Sequence, residues 1–435
     1  MLLHILLVAV ARAPLGAVAQ PELRSPPPTP CKTKFCAPLT LTGDPEALCL
    51  DGSPYAYYLG LDQSGSRDNW TISLQGGGWC YDEIDCYGRS KTRLGSTKTW
   101  EPSLNMDPHQ NVIQMHYCDG ASFSGYKKEP TPVRCSPGHN CTWPAEKPGS
   151  IPAGEKLFFR GVTNFDATIE SLVAKHGLGS AKRVVLEGGS AGGLSTFLHL
   201  DRLAERLGPK TFVVGKPVCG FFLDHGNAGA AAEAGHNTSD YTYTQFMKYV
   251  FSMQNASGSL SKECQQSYGP KEAWKCIMAP YAALYIKTPW FALQSRFDHW
   301  QLAEELFLGC VASQPYSPPY PPAPKDLAQT CTPPQKAAIE QYGPDFMAEF
   351  SKVMASSDRN GAFLDACIIH GSTNSSIDGL NNNAAFEQWR VATEQKVGSA
   401  TKSWWLMGCP DATGKMSTSA GPCDTSAICL PFSKP

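Results

Sequence analysis

The chain has 435 residues, 42% of them hydrophobic, with 37 basic and 39 acidic side chains and a formal charge of −2. A balance this close to neutral, with no basic run, excludes the electrostatic footprint of a nucleic-acid binder. The length and apolar content allow a large buried core in one α/β unit.

The amino terminus, MLLHILLVAVARAPLGAVAQ, carries an apolar run from Leu2 to Ala11 that is too short to span a bilayer. Ala17-Val18-Ala19 follows, a small-residue pattern suited to cleavage before Gln20. Residues 1–19 read as a signal peptide, and residues 20–435 as one domain of a secreted, extracellular product. No later segment reaches eighteen consecutive apolar residues, so no membrane span is expected. All 17 cysteines, Cys31 to Cys429, lie beyond that point, and their spread predicts disulfides rather than a metal cluster. Cys80 with Cys86 and Cys135 with Cys141 are spaced to close small loops, and an odd number leaves at least one thiol over. Sequons at Asn69, Asn140, Asn237, Asn255 and Asn374 suit a glycoprotein of the same compartment.

After a proline-rich lead at 25–30, strands are expected at Ser53–Leu59, Trp70–Leu74 and Asn111–Cys118. Residues 156–176 suggest a strand-like LFFRG and then an amphipathic helix over about Ala167–His176. A strand at 182–187, a glycine turn and a helix at 192–207 come next. Pro289–Asp298 reads as a buried strand, Trp300–Leu308 as a helix, and Ala362–Ile369 as another apolar run. Strands alternating with helices predict a mostly parallel sheet with helices on both faces. Residues 313–324, SQPYSPPYPPAP, read as a surface excursion, and the tail from about 406, with Cys409, Cys423 and Cys429, as a disulfide-held wrap.

Gly188-Gly189-Ser190-Ala191-Gly192 satisfies G-x-S-x-G, between strand-like Arg183–Glu187 and the helical spacing of Leu194–Leu207. Strand, tight turn and helix are what a nucleophile elbow requires, and they present Ser190 as a nucleophile. A phosphate or dinucleotide loop is the competing reading, but neither G-x-G-x-x-G nor GK[ST] is present. Gln75-Gly76-Gly77-Gly78-Trp79, directly after a strand, reads as an oxyanion loop, with the amides of Gly77, Gly78 and Ala191 as donors.

An acid and then a histidine should follow the serine. His199 lies inside the predicted helix, and His225 and His236 follow too soon for an acid-bearing strand in between. His299 and His370 remain. Asp298 ends a buried strand, and its neighbour His299 would point the opposite way, which favours His370 as the base. Asp298 as a helix cap and His370 as a loop histidine are the bland alternatives, and Asp224 and Asp365 are weaker acids. Asp82, Glu83 and Asp85 read as a solvated face. No CxxC…CxxC pair occurs, and neither a metal nor a cofactor is expected.

Six segments in order, LQGGGWCYD (74–82), HYCDGASFSGY (116–126), LEGGSAGGLSTFLHLDRL (186–203), GFFLD (220–224), SRFDHWQL (295–302) and CIIH (367–370), together resemble the pectin acetylesterase family. Its animal relatives include the Notum carboxylesterases, but YCDGASFSG and GFFLD look more like the plant-type branch. The resemblance implies an α/β-hydrolase-like fold with Ser190, Asp298 and His370 as nucleophile, acid and base. Two departures stand out: Gly371-Ser372-Thr373 where plant-type members have Cys-Gln-Thr, and Gly188-Gly189 in place of Gly-Cys. The implied activity is a secreted serine carboxylesterase that removes O-acetyl groups from a cell-wall or extracellular polysaccharide such as pectin. A Notum-like protein deacylase and an inactive glycan-binding glycoprotein are the alternatives.

Overall fold

The computed structural model describes residues 36–134, 151–225, 242–312, 331–371, 376–377, 379–395 and 405–408. The expected signal peptide, the 313–324 excursion, Cys135 with Cys141, His236, the sequons at Asn140, Asn237 and Asn374, and the cysteines after 408 lie outside them.

The strands are β1 (Cys36–Leu41), β2 (Ala56–Gly60), β3 (Asn69–Leu74), β4 (Ser103–Asn105), β5 (Asn111–Met115), β6 (Thr131–Pro132), β7 (Lys156–Leu157), β8 (Arg183–Gly189), β9 (Phe212–Val218), β10 (Phe291–Ser295), β11 (Gly361–Asp365), β12 (Ser376–Ile377), β13 (Leu380–Asn381) and β14 (Trp405–Gly408). The longer helices are α1 (Glu83–Ser90), α2 (Gly161–His176), α3 (Ala191–Leu207), α4 (Tyr243–Met253), α5 (Lys262–Tyr268), α6 (Pro333–Met354) and α7 (Asn382–Gln395). Ten strands form one sheet in the order β14-β11-β10-β9-β8-β3-β5-β2-β1-β4. From β14 to β5 the pairings are parallel, and β2, β1 and β4 close the far edge with antiparallel pairings.

The central strands are apolar at successive residues because both faces are covered. Val213 joins a core with Leu194, Phe197 and Leu200 of α3, whereas Val214 joins Phe291, Leu293, Phe363 and α7's Phe386 and Trp389. This is the mostly parallel sheet with helices on both faces that the alternation predicted. Cys49–Cys118, Cys80–Cys86, Cys264–Cys276 and Cys310–Cys331 are disulfides, and Cys219 is a free, buried thiol. No helix among the described residues is long and apolar enough to cross a membrane.

Four local expectations change. α2 starts six residues earlier than predicted, at Gly161, where a Cβ would come within 1.9 Å of Asp119 Oδ2. LFFRG contributes only Leu157, which with Lys156 forms β7 of a two-stranded ribbon with β6. The helix expected at Trp300–Leu308 is one wide turn, Gln301–Glu305, closed by Leu306 N–H donating to Gln301 O at 3.1 Å. Residues 405–408 add the edge strand β14 instead of wrapping the surface, because β11 leaves an open parallel edge.

Candidate active site

β3, β8, β9, β10 and β11 run in parallel, so the segments that leave their carboxyl ends meet along one edge. Ser190 follows β8 and opens α3 with φ 61° and ψ −129°, a strained conformation for a residue with a side chain. Its surroundings enforce that turn. A Cβ on Gly188 would lie 2.3 Å from Gly192 O, and one on Gly192 would lie 2.1 Å from Leu74 O. The Ser190 amide donates to Val218 O at 3.0 Å and to Cys219 Sγ at 3.2 Å, which ties the turn to the end of β9.

The glycine turn after β3 lies against this elbow. A Cβ on Gly76 would come within 2.3 Å of Gly189 O and 2.9 Å of Ser190 Cβ. Gly77 and Gly78 both have positive φ, 145° and 65°, so only glycine forms this turn without strain.

On the other side, Asp298 sits three residues past β10, in the turn beyond the strand end that the sequence suggested. Its carboxylate is fully buried and accepts from His370 Nδ1–H at 3.0 Å (Oδ1) and 2.9 Å (Oδ2). Gln301 N–H at 3.1 Å and Gln294 Nε2 at 3.4 Å also donate to it. Asp298 therefore caps the wide turn and faces the histidine as well, so the two readings of it coexist. His370, five residues beyond β11, presents Nε2 at 2.8 Å from Ser190 Oγ. Ser190, His370 and Asp298, separated by 180 and 72 residues, thus form one hydrogen-bonded chain.

The other sequence candidates are engaged elsewhere. Asp224 accepts from Thr244 and Tyr281, and Asp365 accepts from Cys367 N–H at 3.1 Å. His225 pairs with Asp345 at 2.9 Å. His199 is buried against Phe165, and burial pushes its pKa down to about 4. His299 bonds to Val311 O through Nε2, and burial lowers it too. Asp82 and Asp85 serve α1 rather than the site: Asp82 caps it by accepting Asp85 N–H at 2.7 Å, and Asp85 accepts Tyr81 N–H at 2.9 Å.

Trp79, Phe222, Tyr243 and Trp300 form a wall beside His370, each at most 9% exposed. Trp79 meets Phe222 at 4.9 Å and Trp300 at 5.5 Å, edge to face. Phe222 and Trp300 stand 6.1 and 6.3 Å from the imidazole centroid. Behind them Glu305 is fully buried, with neither carboxyl oxygen hydrogen-bonded. Burial first, and then the charges of Asp298 and Asp224, hold its pKa well above the ordinary 4.5. Burial and Asp298 likewise push the Cys219 thiol far up. Sequence reasoning missed Gln294, Gln301, Cys219 and Glu305; the first two also bond to Phe221, 73 and 80 residues away, which no local pattern shows. Among the described residues no group of three His, Cys, Asp or Glu side chains is placed to hold a metal ion.

The pectinacetylesterase family pattern matches residues 31–408. The chain belongs to the pectinacetylesterase family. It is 31% identical over 340 residues to pectin acetylesterase 11 of Arabidopsis thaliana, covering 74% of this chain and 76% of that one. Over 273 residues it is 26% identical to the palmitoleoyl-protein carboxylesterase NOTUM of Schmidtea mediterranea, 58% of this chain and 47% of the relative. The fold superposes on a crystal structure of the Wnt deacylase Notum from Drosophila with a TM-score of 0.64 at 22% identity, over 85% of this chain and 98% of the other. This family member is accordingly a carboxylic ester hydrolase acting on acetyl or acyl groups, with an α/β-hydrolase-like fold.

Proposed function

We propose that Ser190, His370 and Asp298 are a catalytic triad that removes O-acetyl groups from an extracellular polysaccharide. The observation that carries this is the orientation of His370, with Nε2 on Ser190 Oγ at 2.8 Å and Nδ1 on the buried Asp298. Ser190 Oγ attacks the ester carbonyl while Nε2 takes its proton, and Asp298 fixes the tautomer and balances the imidazolium. The amides of Gly77, Gly78 and Ala191 receive the negative oxygen of the tetrahedral intermediate. As the ester bond breaks, His370 returns the proton to the sugar oxygen. Water, deprotonated by His370, then attacks the acetyl-enzyme, and acetate leaves as Ser190 regains its proton.

One observation favours acetyl over a long acyl chain: the relatives with the longer matched span are pectin acetylesterases. The apolar leader and the disulfides support secretion, with residues 20–435 acting as one esterase domain. A Notum-like deacylase is the second reading, favoured by the similarity to NOTUM. Acetate release from acetylated pectin and acetylated xylan, beside a synthetic ester series from acetyl to decanoyl, separates them. The proposal expects activity that falls with acyl length and is absent in Ser190→Ala. Preference for the long esters would favour the second reading, and activity retained in Ser190→Ala would refute the triad.

A further inference from the structure

Arg89, in the last turn of α1, is nearly buried behind the glycine turn. Gly76 turns its α-carbon toward Ser190, whereas Gly77 turns its own toward Leu94 and Arg89. A Cβ on Gly77 would lie 2.8 Å from Leu94 Cδ2 and 3.5 Å from Arg89 Nη2, so the guanidinium stands beside Leu94 on this side of the turn. It stacks on the Tyr117 ring, 4.9 Å from the centroid, and Nε donates to Leu94 O at 3.2 Å. Nη2 is buried and has no acceptor. The Cys80–Cys86 disulfide fastens the same turn to α1.

A buried donor left unpaired, on a group that cannot lose its charge, is costly unless something offsets it. The nearby carboxyls are committed to backbone amides: Asp119 accepts Phe123 N–H at 3.1 Å and Gly125 N–H at 3.2 Å, and Asp85 accepts Tyr81 N–H at 2.9 Å. Burial raises both Asp119 and Asp85, the latter to about 6, although the guanidinium pulls each the other way. A cation thus stands behind the turn whose amides, in the reading above, receive the developing oxyanion.

We propose that Arg89 is a positioning residue for the ester-hydrolysis step: it backs the Gly77–Gly78 turn and supplies positive charge behind the oxyanion site. This rests on the assignment of those amides to the oxyanion. A field of this kind acts on the charged transition state and hardly at all on the neutral ester, so it shows in kcat and not in KM.

The test compares Arg89→Lys, Arg89→Gln and Arg89→Met in the full chain. It measures kcat and KM on a soluble acetyl ester, the rate of Ser190 phosphonylation by a fluorophosphonate, and Tm. The expected result is a loss of about tenfold in kcat for both neutral variants, smaller than the 10²–10³-fold for removal of a direct donor. KM should hold within about twofold, phosphonylation should slow by a similar factor, and Arg89→Lys should recover most of the rate. Wild-type kcat in folded Arg89→Gln or Arg89→Met would overturn the proposal. So would equal losses in all three variants that simply track Tm. Ser190→Ala in the same assays separates the two layers, since activity there refutes the triad whatever Arg89 does.

Discussion

The two sides of the site are built differently. The elbow and the glycine turn are held by backbone meeting backbone, Gly76 on Gly189 and Gly192 on Leu74. The acid–base side is held by side chains, with Gln294 and Gln301 bracing Asp298, and Asp298 bracing His370. Close backbone packing leaves no room for a single added carbon, whereas a side-chain network can relax and lose function in steps. One side is set by shape and the other by hydrogen-bond chemistry.

Substitutions can break or sharpen that contrast. The largest expected effect is on the chemical side: His370→Ala should lower kcat by about 10⁶-fold, as loss of a triad base does, with Tm little changed. Asp298→Asn should cost about 10⁴-fold by presenting the wrong tautomer of His370, whereas Asp224→Asn should leave kcat near wild type. Equal losses from the two aspartates would assign the acid wrongly. On the backbone side, Gly76→Ala should lose both stability, by about 1–3 kcal/mol, and activity, because its Cβ overlaps Gly189 O and Ser190 Cβ. Gly189→Ala, which meets nothing within 4 Å, should stay within about 0.5 kcal/mol of wild type. If these two glycines respond alike in a urea titration, the backbone account fails.

Glu305 offers a test through pH. Its folded pKa is raised, so its contribution to stability is full below the ordinary 4.5 and is lost as pH rises through the folded value. Glu305→Met should therefore gain over wild type at pH 8, and the gain should shrink toward pH 4. A gain independent of pH would show that packing, and not the unpaired carboxyl, is at issue.

The same contrast explains what the sequence disclosed. The elbow is local: strand, glycines, serine and helix follow one another within 25 residues, and their spacing states the geometry. Asp298 and His370 were found by order and by elimination, and the real support of Asp298 comes from Gln301 and from Gln294, amides whose spacing from it states no role. β9 and β14 went unread because Phe212–Val218 carries Gly215 and Pro217, and Trp405–Gly408 is a strand only by pairing with β11. α2 was placed late because Gly161 at its start looks like a breaker, yet Asp119 fills the space its side chain would take. Cys80 with Cys86 was legible from spacing alone, while Cys49 with Cys118 spans 69 residues and was not.

The central claim is that three side chains act as one unit. The measurement that meets it most directly is kcat for acetate release in Ser190→Ala, His370→Ala and the double variant. A working triad predicts that the double variant is no slower than either single one, since removal of one member already disables the unit. Losses that multiply in the double variant would mean that the serine and the histidine act independently, and would contradict the account.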